Sequence, residues 1–314
     1  MIPSFSDIEI AHNKIKNQIH KTPILTSTII NEICGCVLYF KCENLQKTGS
    51  FKIRGATNSI LNLSEEDRHR GVVAHSSGNH AQALAYAAKQ NNVKAYIVMP
   101  NNAPKVKINA VKDYGAEIIF CEPNINAREE ETNKIIEKYG SKMIHPFNYF
   151  DTIAGQGTCA KEVFEEFNDL DFLVTPIGGG GLMSGSLISR NTLNPKCKVF
   201  GVEPEEVDDA YRSLNSGRIE INLTTNTICD GLLTNLGELT FEIIKNNIDG
   251  ILLVNDFEVR KAQTLIIQRM KIVVEPSSAT VFAAVIKNKE IFKNKKVGLI
   301  ITGGNIDINL WKKN

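Results

Sequence analysis

Short apolar segments alternate with segments of helical periodicity from residue 71 onward, and this alternation constrains the fold more than any other feature of the sequence. The predicted strands cover residues 71–75, 94–99, 117–121, 142–145, 171–177, 198–202 and 296–301. The predicted helices cover residues 79–90, 104–114, 126–139, 181–190 and 256–271. Strands that alternate with helices form parallel sheets with helices on both faces, and ligands bind beyond the carboxyl ends of the strands.

The chain is long enough for two domains, because 314 residues exceed the size of a typical single domain of roughly 150 residues. A charged stretch at 64–70 and a Pro/Asn/Phe stretch at 146–150 mark the predicted boundaries. We predict an α/β protein of two domains, each an open, mostly parallel, twisted sheet flanked by helices. A small domain of residues 71–148 would close over the substrate, and residues 1–70 and 149–314 would form a large domain.

The charge balance excludes a general affinity for nucleic acid or membranes. Lys and Arg number 36 and Asp and Glu 35, so the net charge is only +1. The seven cysteines are scattered, which indicates reduced thiols rather than disulfides or a zinc site. The N-terminal residues lack the pattern of a signal peptide, and no apolar stretch is long enough to span a bilayer, so we expect a cytoplasmic protein.

Lys52 is the first candidate catalytic residue. It lies in a semi-apolar segment, SFKIRG, where desolvation disfavours the charged amine. An amine that is neutral near pH 7 can form a Schiff base and transfer a proton. The alternative is a lysine whose stem packs on the protein while its amine reaches water.

Four consecutive glycines, Gly178–Gly181, follow a predicted buried strand and precede a helix. Backbone N–H groups at such a helix N-terminus bind phosphate, whereas the alternative is a flexible turn. Four glycines cost conformational entropy without packing in return, which favours phosphate binding. The loop lacks the Lys-Ser/Thr ending of a P-loop, so nucleotide hydrolysis is not indicated.

Two further polar segments follow predicted strands. The segment Ser76–His80 (SSGNH) either caps a helix through a Ser or Asn side chain or presents hydroxyl and N–H groups to a ligand carboxylate. The segment 301–305 (ITGGN) either forms a polar turn or turns the Thr302 hydroxyl toward a cofactor.

The segment Gly155–Ala160 (GQGTCA) fits the relaxed dinucleotide pattern G-x-G-x-x-A, with Asp171 near the expected distance downstream. No apolar strand precedes it, so we interpret it as the start of a small-residue helix. An NAD-dependent oxidoreductase is the alternative that this pattern leaves open.

The motifs SFKIRGA, SSGNHAQA, GGGGLMSG and TGGN, in this order and at these separations, resemble the serine racemase and serine/threonine dehydratase family. The resemblance covers nearly the whole chain and includes YAAK, AYIVMP, YGAEII, AGQGT and EP-x-x-A. It implies the tryptophan-synthase-β-like fold (fold type II), pyridoxal 5′-phosphate (PLP) as cofactor and a homodimer. The implied activity is interconversion of L- and D-serine with elimination to pyruvate and ammonia, or dehydration of serine, threonine or 3-hydroxyaspartate without racemisation.

The resemblance also implies residue roles. Lys52 would bind PLP covalently, Asn79 would contact its 3′-hydroxyl, and Thr302 would hydrogen-bond the pyridine nitrogen, where many relatives have serine. The residues that would flank the ring or hold the phosphate are Phe51, Gly231, Gly178, Gly179, Gly180, Gly181 and Leu182. The substrate carboxylate and its surroundings would involve Ser76, Ser77, Asn79, His80 and Arg128.

Ser77 bears on the choice between the two activities that the resemblance implies. Racemisation needs an acid on the face of Cα opposite Lys52, and in serine racemases this is the serine before Gly-Asn-His. Threonine dehydratases have alanine there, whereas hydroxyaspartate dehydratases can share the serine. The sequence also ends soon after Thr302, so we expect no C-terminal regulatory domain.

Two regulatory ligands are implied as well. Glu203, the carbonyl of Val207 and Asp209 resemble a divalent-cation site for magnesium, calcium or manganese, although an acidic helix start would look the same. ATP, as an activator, would contact Ser27, Thr28, Ile29, Lys47, Thr48, Gln82 and Tyr114.

Overall fold

The structure is a computed structural model, and it describes residues 1–103 and 105–307. The strands are β1 (Ile24–Leu25), β2 (Val37–Cys42), β3 (Val72–His75), β4 (Ala95–Pro100), β5 (Glu117–Cys121), β6 (Lys142–Met143), β7 (Phe172–Pro176), β8 (Lys198–Pro204), β9 (Gly250–Val254) and β10 (Lys296–Ile301). The helices of the first half are α1 (Phe5–Ile15), α2 (Thr28–Cys34), α3 (Lys52–Leu61), α4 (Glu65–Arg70), α5 (Asn79–Gln90), α6 (Lys105–Asp113) and α7 (Ile125–Tyr139). Those of the second half are α8 (Phe150–Glu166), α9 (Gly181–Leu193), α10 (Asp209–Ser216), α11 (Glu238–Lys245), α12 (Asp256–Met270), α13 (Pro276–Lys287) and α14 (Lys289–Phe292).

The strands form two sheets, as the alternation predicts. One sheet has six strands in the order β1-β2-β10-β7-β8-β9, and all its neighbours are parallel except the β1–β2 pair. The other sheet has four parallel strands in the order β5-β4-β3-β6, and all of them come from residues 72–143. The predicted α/β class with two mostly parallel sheets is therefore confirmed.

Each sheet carries its own core because its strands are apolar on both faces. Buried side chains of β2, β7 and β10 pack with α12 and α13 in the six-stranded part, where Phe40 and Phe282 meet edge to face at 5.7 Å. Side chains of β3 and β4 pack with α3 and α5 in the four-stranded part. All seven cysteines are buried free thiols, which agrees with the expected absence of disulfides.

Each predicted strand has a counterpart in the structure, but β1, β2 and β9 were not predicted. β9 is half-buried and lies at the edge of the six-stranded sheet, although its sequence, GILLV, is a continuous apolar run. The segment Gly155–Ala160 does not start a helix as predicted, because α8 begins at Phe150. A Cβ on Gly155 would lie 2.6 Å from the Cα of Gly55, so the small residues let α8 approach α3 closely.

A buried ion network joins β2, α3 and α8 behind the segment that contains Lys52. The guanidinium of Arg54 binds Glu43 at 2.8 Å and Glu162 at 2.7 Å, and Lys41 binds Glu162 at 2.6 Å. All four side chains are at most 3 % exposed. Burial would raise the pKa of Glu162, but Arg54 and Lys41 outweigh it and hold that pKa below its usual value.

Glu162→Gln is expected to destabilise the protein by about 3–5 kcal/mol, because it leaves two buried cations facing a single carboxylate. The measurement is the free energy of unfolding from chemical denaturation. Glu165→Gln is the matched control: its carboxylate lies one helical turn further along α8, is 49 % exposed and pairs with Lys161. The control should cost less than about 0.5 kcal/mol. Equal effects of the two changes would contradict the role given to the buried network.

Candidate active site

The carboxyl ends of strands from both sheets meet at one place. Lys52 donates from Nζ to the carbonyl of Pro146, which follows β6, at 3.0 Å. Asn305, which follows β10, donates to Asn79, which follows β3, at 2.9 Å. The loops after β3, β6 and β10 therefore surround one cleft, where ligands of such sheets bind.

Lys52 is the first residue of α3, and its backbone is fixed from the six-stranded sheet. Ser50 forms an isolated bridge with Gly303, and the N–H of Phe51 donates to the carbonyl of Thr302 at 3.0 Å. Burial lowers the pKa of the Lys52 amine to about 8, although the carboxylate of Glu275 acts in the opposite direction. A neutral amine is thus accessible near physiological pH, and neutral amines act as bases and nucleophiles.

The glycine loop leads from β7 directly into α9. Gly180 has a φ of +86°, a left-handed conformation that favours glycine, and the first helical hydrogen bond runs from Ser184 N–H to the Gly180 carbonyl at 2.8 Å. The N–H groups before Ser184 therefore have no acceptor within the helix. Such N–H groups at a helix N-terminus suit an anionic group.

Phe147 connects the loop to Lys52. A Cβ on Gly179 would lie 2.3 Å from the Phe147 ring, and a Cβ on Gly181 would lie 3.0 Å from the Phe147 Cα. A Cβ on Gly178 would lie 3.2 Å from the carbonyl of Gly231. The loop thus packs against the segment that accepts the Lys52 hydrogen bond, where a side chain at position 179 would overlap Phe147, and it also contacts Gly231.

Asn79 is held by residues of the other sheet. Its amide nitrogen donates to both carboxylate oxygens of Glu275 at 2.9 and 3.1 Å, and its amide oxygen accepts from Asn305. Burial raises the pKa of Glu275 to about 7, while the hydrogen bond from Asn79 lowers it. The Asn79 side chain therefore has a fixed orientation at the cleft.

The turn before α5 lacks the Ser or Asn side-chain cap that was one of the two alternatives for this segment. The N-cap residue is Gly78, without a side-chain cap, whereas the alternative in the sequence was a Ser or Asn cap. The Ser76 hydroxyl accepts from the Gly78 N–H at 3.3 Å, and the Ser76 N–H donates to the Val98 carbonyl at 3.1 Å. These two bonds fix the backbone on either side of Ser77, whose side chain is partly exposed.

His80 lies deeper than a residue that binds a substrate directly would lie. It is 2 % exposed, and its Nε2 lies 3.0 Å from the carbonyl of Ile144, so Nε2 carries the proton. Burial, together with the positive charge of Lys52, lowers the pKa of His80 to about 3. The ring is therefore neutral and offers no charge to a carboxylate.

Arg128 lies on α7, and its Nε is buried without a hydrogen-bond partner in the described structure. Its positive charge acts on His75, which immediately precedes Ser76 and whose pKa burial and Arg128 both lower. Arg128 is thus near the Ser76–His80 turn.

Thr302 directly follows the last strand, and its hydroxyl lies beside a second hydroxyl. Its Oγ1 lies 2.9 Å from the Oγ of Ser278 on α13, and both residues are at most 4 % exposed. Gly231, on the neighbouring turn, donates its N–H to Ser277 at 3.0 Å. The ends of β10 and α13 therefore form one wall of the cleft together with Gly231.

The predicted cation site contains two buried carboxylates with neutral partners. Glu203 accepts from the N–H groups of Ala210 and Tyr211 at 3.0 and 2.8 Å, and Asp209 accepts from Asn222 and Leu236 at 2.8 and 3.0 Å. Burial and the neighbouring Asp209 raise the pKa of Glu203, and burial raises that of Asp209 to about 6. Across residues 1–103 and 105–307, no group of three or more His, Cys, Asp or Glu could hold a metal ion.

The residues predicted to contact ATP lie in two places. Ser27, Thr28 and Ile29 open α2, which packs on β2. The others lie in or near α5: the Lys47 amine is 5.9 Å from the centre of the ring of Tyr86, an α5 residue, and this ring packs edge to face on Tyr114. Thr48 precedes Ser50 and Lys52, and Gln82 is a buried residue of α5.

Sequence reasoning missed several residues that build the site. Glu275, Asn305 and Ser278 come from segments far along the chain, and Phe147 was assigned only to a domain boundary. Three of them lie in motifs quoted for the resemblance, Glu275 and Ser278 in EP-x-x-A and Asn305 in TGGN, but no role was predicted for these residues from the sequence. No spacing in the sequence indicates that Glu275 meets Asn79, because 196 positions separate them.

The fold and the site define a class: α/β proteins with two parallel sheets and a lysine beside a glycine-rich helix start between them. The family model for the pyridoxal-phosphate dependent enzyme family matches residues 15–303. The serine racemase of Dictyostelium discoideum is 53 % identical, covering 99 % of this chain and 97 % of its own. The β-hydroxyaspartate dehydratase of Paracoccus denitrificans is 46 % identical, covering 98 % of each. The structure of maize serine racemase, 39 % identical, superposes with a TM-score of 0.96 over 99 % of this chain and 97 % of its own.

The chain therefore belongs to the pyridoxal-phosphate dependent enzyme family, and within it to the serine racemase and dehydratase group. Its fold is that of type II enzymes, and its cofactor is PLP. No helix in the described part of the chain has the length and apolar character to cross a membrane.

Proposed function

We propose that this enzyme interconverts L-serine and D-serine and also eliminates the hydroxyl group of serine to give pyruvate and ammonia. The observation that carries the proposal is the position of the Lys52 amine. It donates a hydrogen bond to the carbonyl of Pro146, whose neighbour Phe147 packs on the glycine loop, and Ser77 lies on the turn after β3. The relative from Dictyostelium discoideum, a serine racemase, supports the choice of substrate.

The residues present fit PLP on the chemistry of their donors. The Lys52 amine can bond covalently to the cofactor aldehyde, and its pKa of about 8 leaves a neutral fraction for this. Gly178 to Gly181 and Leu182 would hold the phosphate, Phe51 and Gly231 would flank the ring, and Asn79 and Thr302 would contact its polar edge. When bound, PLP withdraws electrons from the α-carbon of an amino acid and makes its proton acidic.

Lys52 and Ser77 divide the proton transfers between two faces of the α-carbon. Lys52 takes the proton from L-serine, and Ser77 delivers a proton to the opposite face, which gives D-serine. If the β-hydroxyl leaves before Ser77 acts, it takes up a proton and departs as water, and the aminoacrylate that is released reacts with water to give pyruvate and ammonia. One removed proton therefore serves both outcomes.

The start of α5 would receive the substrate carboxylate. Ser76, Ser77 and Asn79 present hydroxyl, amide and helix N-terminal N–H groups there, and the positive end of the helix favours an anion. His80 would support the turn from the protein interior through its hydrogen bond to the Ile144 carbonyl, and Arg128 would add positive charge near the turn. Closure of a small domain (71–148) on a large one (1–70 and 149–314) belongs to the same proposal.

The experiment is one incubation of the purified enzyme with L-serine, PLP and Mg²⁺, assayed for D-serine and for pyruvate. D-serine, with or without pyruvate, is the expected result. Pyruvate alone would overturn the racemase proposal and leave a dehydratase. The second candidate is dehydration of 3-hydroxyaspartate, favoured by the 46 % identical relative, and the same assay with that substrate tests it.

A divalent cation is expected to bind at Glu203 and Asp209, with the Val207 carbonyl, because a cation would neutralise two buried carboxylates that have only neutral donors. Mg²⁺ at about a hundred times its Kd should stabilise the protein by about 2.7 kcal/mol and raise Tm. Ca²⁺ and Mn²⁺ are compared in the same melting experiment.

Asp209→Asn should abolish the effect of the cation on Tm. Asp208→Asn is the control, because Asp208 is the adjacent carboxylate but pairs with Arg212 at 2.7 Å. An equal rise in Tm for the wild type and Asp209→Asn would place the cation elsewhere. The proposal also includes a homodimer, a cytoplasmic location and activation by ATP bound at the two groups of residues at the start of α2 and near α5. A rise in Tm with ATP tests the ATP site.

A further inference from the structure

Three polar groups surround the Ser278 hydroxyl at the end of β10. Its oxygen accepts from the Gly303 N–H at 2.7 Å, lies 2.7 Å from the Gly303 carbonyl and lies 2.9 Å from the Thr302 hydroxyl. Ser278 is fully buried, so water does not complete these bonds. Its single proton must therefore go either to the Gly303 carbonyl or to Thr302.

The two choices give Thr302 opposite roles. If Ser278 donates to the Gly303 carbonyl, Thr302 can donate to Ser278 and then presents only lone pairs to the cleft. If Ser278 donates to Thr302, the proton of Thr302 is free to point into the cleft. The Gly303 carbonyl also accepts from the Glu275 N–H at 3.0 Å, so it stays satisfied in both arrangements.

We propose that Ser278 is a positioning residue for the pyridine nitrogen of the cofactor, because it gives the proton of Thr302 an alternative acceptor. Thr302 can then accept from a protonated ring as well as donate to a neutral one. This inference rests on the proposed contact between Thr302 and the ring nitrogen. With alanine at 278, Thr302 would keep only the donor role, because its proton would lose the acceptor beside it.

The charged groups around this pair come from neighbouring segments. Glu275 precedes α13, and its carboxylate lies 2.7 Å from where a Cβ of Gly303 would be. Asp230 precedes Gly231, whose N–H binds Ser277, and Lys107 forms an ion pair with Asp230. Lys52 follows Phe51, whose N–H binds the Thr302 carbonyl. These charges are common to the wild type and the variants below, so they cancel in the comparison.

The test is ¹⁵N magnetic resonance of the holoenzyme loaded with PLP labelled at the ring nitrogen. We expect Ser278→Ala to lower the midpoint pH of ring protonation by about 0.5–1 unit, the effect of one hydrogen bond on a proton equilibrium. Thr280→Val is the control on the same helix, because the Thr280 hydroxyl bonds only to the Ser277 carbonyl among the described contacts. It should leave the midpoint unchanged.

A second variant, Thr302→Val, distinguishes two explanations of a shifted midpoint: a changed direction of the Thr302 hydroxyl proton and a displaced backbone at Gly303. Ser278→Ala also removes the partner of the Gly303 N–H, and a displacement caused by this would persist when valine replaces Thr302. The proposal requires that Ser278→Ala has no further effect in the Thr302→Val background. An unchanged midpoint in Ser278→Ala, or the same shift in both backgrounds, overturns it. If borohydride reduction of the wild type does not fix the label on Lys52, the proposed cofactor attachment fails as well.

Discussion

Lys52→Ala is expected to lower both racemisation and elimination by more than about 10⁴-fold, the upper range for loss of one acid–base group. The variant loses the covalent attachment point and the base together, so the loss should exceed that range. Turnover of L-serine is measured for both products, and the fold is checked by circular dichroism. Lys112→Ala, an exposed residue of α6, serves as the control and should keep full activity.

Lys52 should also lower the free energy of unfolding of the enzyme when no cofactor is bound. Its pKa in the fold is about 8 against 10.5 for a free side chain, so below pH 8 the fold must bury a charged amine. This costs on the order of 3 kcal/mol. Between pH 8 and 10.5 the unfolded chain binds the extra proton, so the stability of the wild type rises with pH.

Lys52→Met removes the amine but keeps a side chain of similar length. At pH 7 this variant should unfold at a higher denaturant concentration than the wild type without cofactor, and the difference should shrink above pH 8. A pH-independent difference would mean that packing, not the buried charge, sets the stability. Activity retained in Lys52→Ala would overturn the proposed function itself.

The order of strands and helices was predictable because each element has a pattern of its own. Residues 117–121 and 296–301 match β5 and β10 to the residue, and residues 79–90 match α5. The glycine loop was predictable for the same reason, since four glycines between a strand and a helix are a local signal. The strands β1, β2 and β9 were missed: β1 has only two residues, whereas β2 and β9 are apolar segments that lie outside the strand–helix alternation on which the prediction was based.

The partners of the site residues could not be predicted, because they are set by tertiary contacts. Asn79 is separated from Glu275 by 196 positions, and Arg54 is separated from Glu162 by 108. His80 shows the same limit in another way: its position in the motif suggested contact with a ligand, but burial makes it a neutral donor to a carbonyl. Only the fold determines how deep a residue of a motif lies.

Ser77→Ala is expected to lower racemisation by about 10²–10⁴-fold while elimination from L-serine stays within about tenfold of the wild type. The reason is that Lys52 removes the proton of L-serine without help from Ser77. Elimination from D-serine should fall as far as racemisation, because the proton of D-serine faces Ser77. The backbone on either side of Ser77 is held by bonds of Ser76, so the loss of one hydroxyl should not move the turn.

Four rates therefore test the two-base mechanism: racemisation in each direction and elimination from each enantiomer. Ser76→Ala is the matched control one residue away: it removes the hydroxyl that accepts from Gly78 and that the proposal assigns to the substrate carboxylate, so it should change the four rates together. An equal loss of elimination from L- and D-serine in Ser77→Ala would mean that Ser77 binds the substrate rather than transfers a proton. The direction of the asymmetry thus identifies which face of the α-carbon each residue serves.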